Sequence, residues 1–184
     1  EIKQQNNTIL SGINLSINQG EFVYFVGKTG SGKSSLLKAI YGDVAITNGE
    51  ISFKDQKLKK ISRKNVLALR RKVGIIFQDF QLLMDRSVSD NLRFVMKATG
   101  WKGKKKINQE VEKLLTKVEM LDKADDFPHL ISGGEQQRIA VARALINNPD
   151  LIIADEPTGN LDPKTSEKIM QLIKSVVSVK KTLI

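Results

Sequence analysis

Short apolar runs at three places in the chain predict buried strands. They lie within residues 21–26, 73–77 and 151–154, and runs of this length without polar alternation are typical of strands covered on both faces. Helical patterns separate them, so we expect a mostly parallel sheet with helices on both sides. Residues 8–10 and 13–17 instead alternate apolar with polar side chains, which predicts half-buried strands. The pattern predicts an α/β fold with a small antiparallel β subdomain.

Apolar residues at helical spacing predict six helices. Ser87 or Ser89 can cap a helix that begins at Val88, and Asp162 followed by Pro163 is a strong start signal for the last helix. Residues 80–135 carry only helical patterns, so we expect a helical lobe inserted into the α/β core. The predicted helices span 33–41, 61–71, 88–98, 107–118, 135–147 and 163–177.

Length and composition restrict the class of protein. A chain of 184 residues with 40% hydrophobic content has enough apolar surface for one core, so we expect a single domain over 1–184. The first strand pair is already under way at Thr8, and the chain stops as a new strand starts, so we interpret the domain as truncated at both ends, either as a fragment or because disordered ends are left out. There is no cysteine, which excludes disulfides and thiolate metal sites. No apolar run is long enough to span a bilayer, and no signal peptide precedes the first strand, so we expect a cytoplasmic protein.

The formal net charge of +10 raises the question of which anionic partner the basic residues bind. Nucleic acid and the anionic inner leaflet of a membrane both attract such a chain, and part of the excess charge can simply face water. The densest basic run, residues 102–106, lacks the interleaved aromatic side chains of a single-strand binding surface. Charge alone does not choose between these partners.

The octapeptide at residues 27–34 has the pattern Gly-x-x-x-x-Gly-Lys-Ser between a predicted strand and a predicted helix. In that position it is a phosphate-binding loop, because glycines let successive backbone amides point at a phosphate and the helix adds its positive end. Lys33 supplies charge to the outer phosphates, and the Ser34 hydroxyl is a ligand for magnesium. The sequence therefore predicts a P-loop nucleoside triphosphatase. The candidate nucleotide-binding residues here are Gly27, Lys28, Thr29, Gly30, Ser31, Gly32, Lys33, Ser34 and Ser35.

Two carboxylates follow the apolar run at 151–154. Asp155 stands where a strand end delivers a side chain beside the phosphate loop, and we predict that it holds magnesium. Glu156 points elsewhere and is our candidate general base for the attacking water. An isolated Asp-Glu pair is more often an ordinary acidic turn, so this assignment depends on the phosphate loop.

A second candidate phosphate-binding segment, or cradle, lies at residues 131–138, Ile-Ser-Gly-Gly-Glu-Gln-Gln-Arg. Ser132, Gly133 and Gly134 immediately precede a predicted helix, whose start exposes amides and a hydroxyl to an anion. One nucleotide does not fit comfortably in two cradles so far apart in sequence. We therefore expect two protomers, each offering this segment to the nucleotide that the other holds.

Taken in order, these motifs together with Gln78 and residues 160–162 resemble the nucleotide-binding domain of an ABC ATPase over nearly the whole chain. The resemblance implies ATP and Mg²⁺ as cofactors and a homodimer on ATP binding. It implies that Gln78 touches magnesium and senses a membrane partner, and that Ser132, Gly133 and Gly134 form the signature that closes on the other subunit's ATP. Asp162 would belong to a loop that communicates across the dimer, beside its role as a helix cap.

The stretch 77–88, together with residues 121–124 and 127–128, resembles the FtsE family of bacterial cell-division ATPases. Members of that family work with the integral membrane protein FtsX, which implies peripheral contact with the inner face of the cell membrane and no nucleic-acid partner. Leu82, Leu83 and Met84 either receive a helix of that partner or pack inside the helical lobe.

Other functions remain open at this point. ABC ATPases of lipoprotein-release or macrolide-export systems have similar motifs. A soluble ABC protein acting on DNA or ribosomes would carry a long coiled-coil insertion or a tandem second domain, and this chain has neither. A regulatory module without hydrolysis is disfavoured by the presence of Glu156.

The chain departs from the family pattern in three respects. Ile131 replaces the leucine of the signature. The aromatic residue that stacks on adenine would lie before Glu1, and the histidine that contacts the terminal phosphate would lie after Ile184. The one histidine, His129, precedes the signature and is read as a loop residue. We therefore expect the 184-residue chain to bind nucleotide weakly and hydrolyse it slowly.

Overall fold

Three parallel strands form the central sheet, in the order β5-β6-β7. The computed structural model describes residues 1–4, 7–54, 56–58, 63–177 and 181–184. The strands are β1 (Ile2–Gln4), β2 (Asn7–Leu10), β3 (Ser52–Phe53), β4 (Gln56–Lys57), β5 (Val73–Ile76), β6 (Leu151–Ala154) and β7 (Thr182–Leu183). The helices are α1 (Lys33–Ile40), α2 (Arg63–Lys72), α3 (Val88–Ala98), α4 (Lys104–Lys117), α5 (Gly133–Ala144) and α6 (Pro163–Val176), with 3₁₀ turns at Leu121–Lys123 and Pro128–Leu130.

The β5–β6 pair is the centre of the sheet. Its register is in step along four residues, from Val73 opposite Leu151 to Ile76 opposite Ala154, and most of its side chains are buried. Strands covered on both faces need continuous apolar sequence, which is what both segments supply. The predicted α/β class with a mostly parallel sheet is confirmed.

Two short antiparallel ladders, β1–β2 and β3–β4, lie outside this sheet. They match the predicted small antiparallel subdomain. An isolated antiparallel bridge joins Ile2 to Ile46. Helix α2 begins at Arg63 in the described part of the chain, and residues 61–62 of the predicted helix lie outside it.

The prediction of a strand over residues 13–17 was wrong. Ile13 and Leu15 are 51% and 52% exposed, and no strand forms there. Alternating side chains describe only one face of a strand, whereas a strand also needs a neighbour for its backbone groups. Residues 13–17 make no ladder hydrogen bonds within the described part of the chain.

The buried strand predicted over residues 21–26 is also wrong for most of its length. Val23 N donates to Leu183 O at 2.8 Å, and Leu183 N donates to Glu21 O at 3.0 Å. These two hydrogen bonds pair residues 21–23 with β7. The pairing does not continue among the described residues, and Val26 is 95% exposed. Within this described stretch only an isolated bridge between Phe22 and Leu183 forms, because a strand depends on pairing with a neighbour that the apolar run itself does not reveal.

Between β5 and β6 the described chain is helical, as predicted for residues 80–135. Helix α3 has the predicted bounds, and the Ser87 Oγ accepts a hydrogen bond from Asp90 N at 3.2 Å as its cap. Helix α4 begins three residues earlier than predicted, and α5 ends at Ala144 rather than near residue 147. The division into one domain with a lobe stays a prediction.

None of the helices in the described ranges is both long and apolar enough to cross a membrane.

Helix α5 approaches β5 closely at Gly74. A Cβ at this position would clash with the carbonyl oxygen of Ala144 and lie 3.1 Å from Pro149 Cγ. Because the obstacle is backbone, it does not move aside as a flexible side chain does. Glycine at position 74 therefore allows the helix to pack on the sheet.

We predict that Gly74→Ala lowers the free energy of unfolding by about 1–3 kcal/mol through this steric conflict. Chemical denaturation followed by circular dichroism measures the effect. Lys97→Ala, at an exposed position of α3, is the control and should change stability by less than about 0.5 kcal/mol. Equal stability of the Gly74→Ala variant and the unsubstituted protein would contradict the packing argument.

Candidate functional site

The loop at residues 27–32 leads directly into α1, which begins at Lys33. Gly30 and Gly32 have positive φ angles of 79° and 92°, and a Cβ at Gly32 would lie 2.8 Å from two carbon atoms of Leu10. The backbone amides of residues 32–35 have no acceptor among the described residues. Four unpaired donors at the positive end of a helix are suited to a phosphate group.

The ammonium group of Lys33 folds back over the same loop. It donates to Gly27 O at 2.8 Å and to Lys28 O at 3.1 Å. In the described ranges no carboxylate lies within ion-pairing distance of it. The charge therefore remains available to an anion at the mouth of the loop.

Ser34 and Asp155 meet although they lie far apart in sequence. The Ser34 hydroxyl donates to Asp155 Oδ1 at 2.9 Å. Asp155 is placed by β6, and its backbone amide donates to Ile76 O at 3.0 Å in continuation of the ladder with β5. A hydroxyl and a carboxylate side by side next to a phosphate-binding loop are the oxygen ligands that Mg²⁺ prefers. The residues present fit this metal.

Glu156 lies directly after Asp155 in an unusual backbone conformation. Its φ is +49°, and its carbonyl accepts from Gly159 N at 3.0 Å to close a turn. The side chain is exposed and makes no hydrogen bond or ion pair within the described part of the chain. A strained residue with a free carboxylate at the end of a buried strand is typical of functional sites.

Gln78 follows β5 at the same edge of the sheet, but its amide turns towards the loop after Glu156. Its Nε2 donates to Asn160 Oδ1 at 3.3 Å, and Asn160 Nδ2 donates back to Gln78 O at 3.1 Å. A Cβ at Gly159 would lie 2.7 Å from Gln78 Nε2, so glycine makes room for this pair. The structure thus links Gln78 to Asn160.

The segment Ser132–Gly134 begins α5 and is built as a capping box. Ser132 Oγ accepts from Glu135 N at 3.4 Å, and Glu135 Oε2 accepts from the Ser132 hydroxyl at 2.6 Å and amide at 2.7 Å. These bonds lower the pKa of Glu135 below its usual value. None of the described hydrogen bonds of Ser132 reaches residues 27–35 of its own chain. No hydrogen bond of Ser132 therefore joins the two candidate phosphate-binding segments within the described protomer.

Asp162 has the predicted role of helix cap. Its carboxylate accepts from Lys164 N at 3.1 Å and Thr165 N at 3.0 Å at the start of α6. Hydrogen bonds from the side chain and amide of Thr165 lower its pKa. Its role across a dimer stays a prediction.

Sequence reasoning missed three residues that connect these parts: Asn160, Gln137 and Arg143. Gln137 is fully buried, and Arg143 donates to the carbonyls of Phe80 and Gln81. Burial lowers the pKa of the Arg143 guanidinium. Arg143 could have been noticed as a charged residue within an apolar run of α5, whereas Gln137 lies between Gln136 and Arg138 and carried no such signal.

Comparison with known proteins agrees with this geometry. A family model described as ABC transporter matches residues 10–159. The cell division ATP-binding protein FtsE of Streptococcus pneumoniae is 44% identical over 177 residues, covering 95% of this chain and 76% of that protein. FtsE of Bacillus subtilis is 44% identical over 167 residues, covering 91% of this chain and 73% of that protein. FtsE of Escherichia coli is 44% identical over 163 residues, covering 89% of this chain and 73% of that protein.

Solved structures support the same fold. The dimeric, post-hydrolysis ATP-binding cassette MJ0796 bound to ADP and Pi has a TM-score of 0.84 at 35% identity, covering 95% of this chain and 78% of that one. CbiO1 of Clostridium perfringens, part of the ABC transporter complex CbiONQ, has a TM-score of 0.85 at 32% identity. The match covers 96% of this chain and 70% of that one.

The resemblance inferred from the motifs is confirmed, as is the expectation of an ATP-hydrolysing enzyme class. Because the family model covers most of the chain and the relatives are well above 30% identical, the assignment does not depend on any single motif. This chain belongs to the ABC transporter ATPase family, in the group of cell division ATP-binding proteins.

Proposed function

We propose that this protein is the ATP-hydrolysing subunit of a bacterial cell-division complex. In this proposal, ATP closes a homodimer, and closure drives an integral membrane partner of the FtsX type. The observation that carries the proposal is the 2.9 Å bond between Ser34 and Asp155 beside the unpaired loop amides. This bond supports the proposal because it joins the candidate phosphate-binding loop to a candidate pair of metal ligands.

The phosphate groups of ATP would be held by residues 27–35, with the Lys33 ammonium on the outer phosphates. Magnesium would be held by Ser34 and Asp155, and by Gln78 after its amide leaves Asn160. When bound, the metal neutralises charge on the phosphoryl oxygens. Glu156 would orient the attacking water and accept its proton, since its carboxylate carries no other bond in the described residues.

A second protomer completes the site in this proposal. Ser132 and the start of α5 form no hydrogen bond with the phosphate loop in the described residues, and an opposing subunit would present them to the nucleotide. The dimeric MJ0796 cassette is a structural neighbour at 35% identity, which supports the same arrangement here.

The membrane partner would dock on the turn between Gln78 and α3. Buried Asn91 holds this turn, accepting from Leu83 N at 2.8 Å and donating to Leu83 O at 3.0 Å. The fixed turn leaves Met84 55% exposed, whereas Leu82 is only 8% exposed and packs in the lobe. Met84 is the better candidate for contact with a partner, because a thioether adapts to an irregular apolar surface.

Charge would assist this contact. With a net charge of +10, the protein is attracted to anionic lipid, at about 1 kcal/mol for each basic residue held near the surface. We propose peripheral attachment to the inner face of the cell membrane on this basis.

Glu156→Gln should trap an ATP-dependent dimer, because the nucleotide is bound but the water is not activated. Light scattering on the full-length protein should show a dimer with MgATP and a monomer with MgADP. Glu112→Gln, on the exposed face of α4, is the matched control and should stay monomeric once its ATP is hydrolysed. A Glu156→Gln variant that binds ATP and remains monomeric would contradict closure of the isolated subunit.

Asp155→Asn should remove the magnesium dependence of ATP binding, because an uncharged amide replaces the carboxylate beside Ser34. Titration with a fluorescent ATP analogue should show that Mg²⁺ strengthens binding to the unsubstituted protein and has little effect on the variant. Asp125→Asn, exposed in the loop after α4, keeps the full metal effect. An unchanged metal effect in Asp155→Asn would rule out this residue as a ligand.

Met84→Glu should weaken association with the membrane partner while leaving ATP hydrolysis intact, because a charge enters the apolar contact. Co-purification from detergent-solubilised membranes measures association. Leu67→Glu is the control, because Leu67 is similarly exposed, at 57%, on α2. If both variants retain an FtsX-type partner, this docking surface is wrong, and recovery of a lipoprotein-releasing permease instead would favour a transport function.

A further inference from the structure

Gln137 connects the two loops that carry the proposed catalytic residues. It lies on α5, is fully buried, and donates from Nε2 to Pro157 O at 2.6 Å and to Phe77 O at 3.3 Å. Pro157 follows Glu156, and Phe77 precedes Gln78. One carboxamide therefore holds the backbone beside the candidate base and beside the candidate metal-sensing residue.

The orientation of this carboxamide follows from its partners. Both neighbours are carbonyl oxygens, so only the amide nitrogen pairs with them, and both of its hydrogens are used. The opposite atom, Gln137 Oε1, is buried and has no hydrogen-bond partner among the described residues. Buried polar atoms in proteins are usually paired, so the donor nitrogen, rather than the carboxamide as a whole, is what the surroundings of position 137 use.

Arg143, further along the same helix, holds the next part of the Gln78 loop. Its Nη2 donates to Phe80 O at 2.7 Å, and its Nη1 donates to Gln81 O. Phe80 and Gln81 both have positive φ angles, 59° and 49°, a conformation that non-glycine residues adopt only with support from their surroundings. Helix α5 thus determines the backbone on both sides of Gln78.

We infer that Gln137 is a positioning residue that fixes Glu156 relative to Gln78 and ties both to the signature at the start of α5. The inference rests on the proposed roles of Glu156, Gln78 and Ser132. When the partner's nucleotide engages Ser132–Gly134, α5 moves as one body and carries both loops with it. Hydrolysis is then coupled to dimer closure through two backbone carbonyls.

Gln137→Met tests this inference. Methionine has a similar shape and lacks both donors, and it also removes the unpaired oxygen, so the fold should be retained. On the full-length protein we expect kcat for ATP hydrolysis to fall by about tenfold or more, because small displacements of a catalytic group are costly. KM and the dissociation constant for ATP should change by less than about threefold, because the hydrogen bonds of Gln137 go to Phe77 and Pro157 and not to residues 27–35.

Ile139→Val is the matched control for loss of packing. Ile139 is fully buried on the same helix, and losing one methyl group there removes buried packing without changing any hydrogen bond. We expect its kcat to stay within about twofold of the unsubstituted protein. If Gln137→Met keeps its kcat, or if kcat falls equally in both variants, the inference is overturned.

Gln137→Glu adds a readout that a purely structural role would not produce. The introduced carboxyl would face two carbonyl oxygens in a buried position, which raises its pKa. Its ionised form repels them and its protonated form donates one bond, so kcat relative to the unsubstituted protein should increase as the pH is lowered. A ratio that does not change between about pH 6 and about pH 8.5 would overturn the inference.

The unsubstituted protein and Glu156→Gln are assayed in parallel. Loss of hydrolysis in Glu156→Gln, together with normal kcat in Gln137→Met, would refute the inference and leave the proposed function intact. Hydrolysis that does not depend on Glu156 would instead refute the proposed function.

Discussion

The pairing of β5 with β6 is the interaction on which the candidate site depends. Four residues in register bring the carboxyl ends of both strands to one edge, so that Gln78 and Asp155 leave the sheet as neighbours. The bond from Asp155 to Ser34 then attaches the phosphate loop to the same edge. A shift of one residue would turn Asp155 to the other face of the strand, and the hydroxyl–carboxylate pair would be lost.

Electrostatics is the reason for proposing a nucleotide site shared between two protomers. The chain presents two helix starts that suit phosphate, at Lys33 and at Gly133, each with backbone amides at the positive end of a helix. At the second start the Glu135 carboxylate partly satisfies the donors through Ser132. The first start has no carboxylate in its first turn and needs an anion. We propose that ATP bound at the first start satisfies the second in another copy.

The sequence correctly predicted the structural features that depend only on residues close together in the chain. The caps at Ser87 and Asp162 and the glycine pattern of the phosphate loop depend on neighbours within a few residues, and the structure has them as expected. Residues 13–17 and 24–26 failed as strands because strand formation depends on a distant edge. Gln137, Arg143 and Asn160 were missed for the same reason, since their partners lie at least 20 residues away.

The least favourable features of the structure are concentrated around the candidate base. Glu156 has a positive φ, its neighbour Pro157 accepts a bond from Gln137, and Gln137 itself leaves a buried oxygen unpaired. An apolar residue at position 137 and a relaxed turn at 156 would avoid these costs. Strain that persists at one place requires support from the surrounding fold, and here the support comes from α5, the helix that begins with the signature. The loop that carries Glu156 is therefore held by the element that a second subunit would contact.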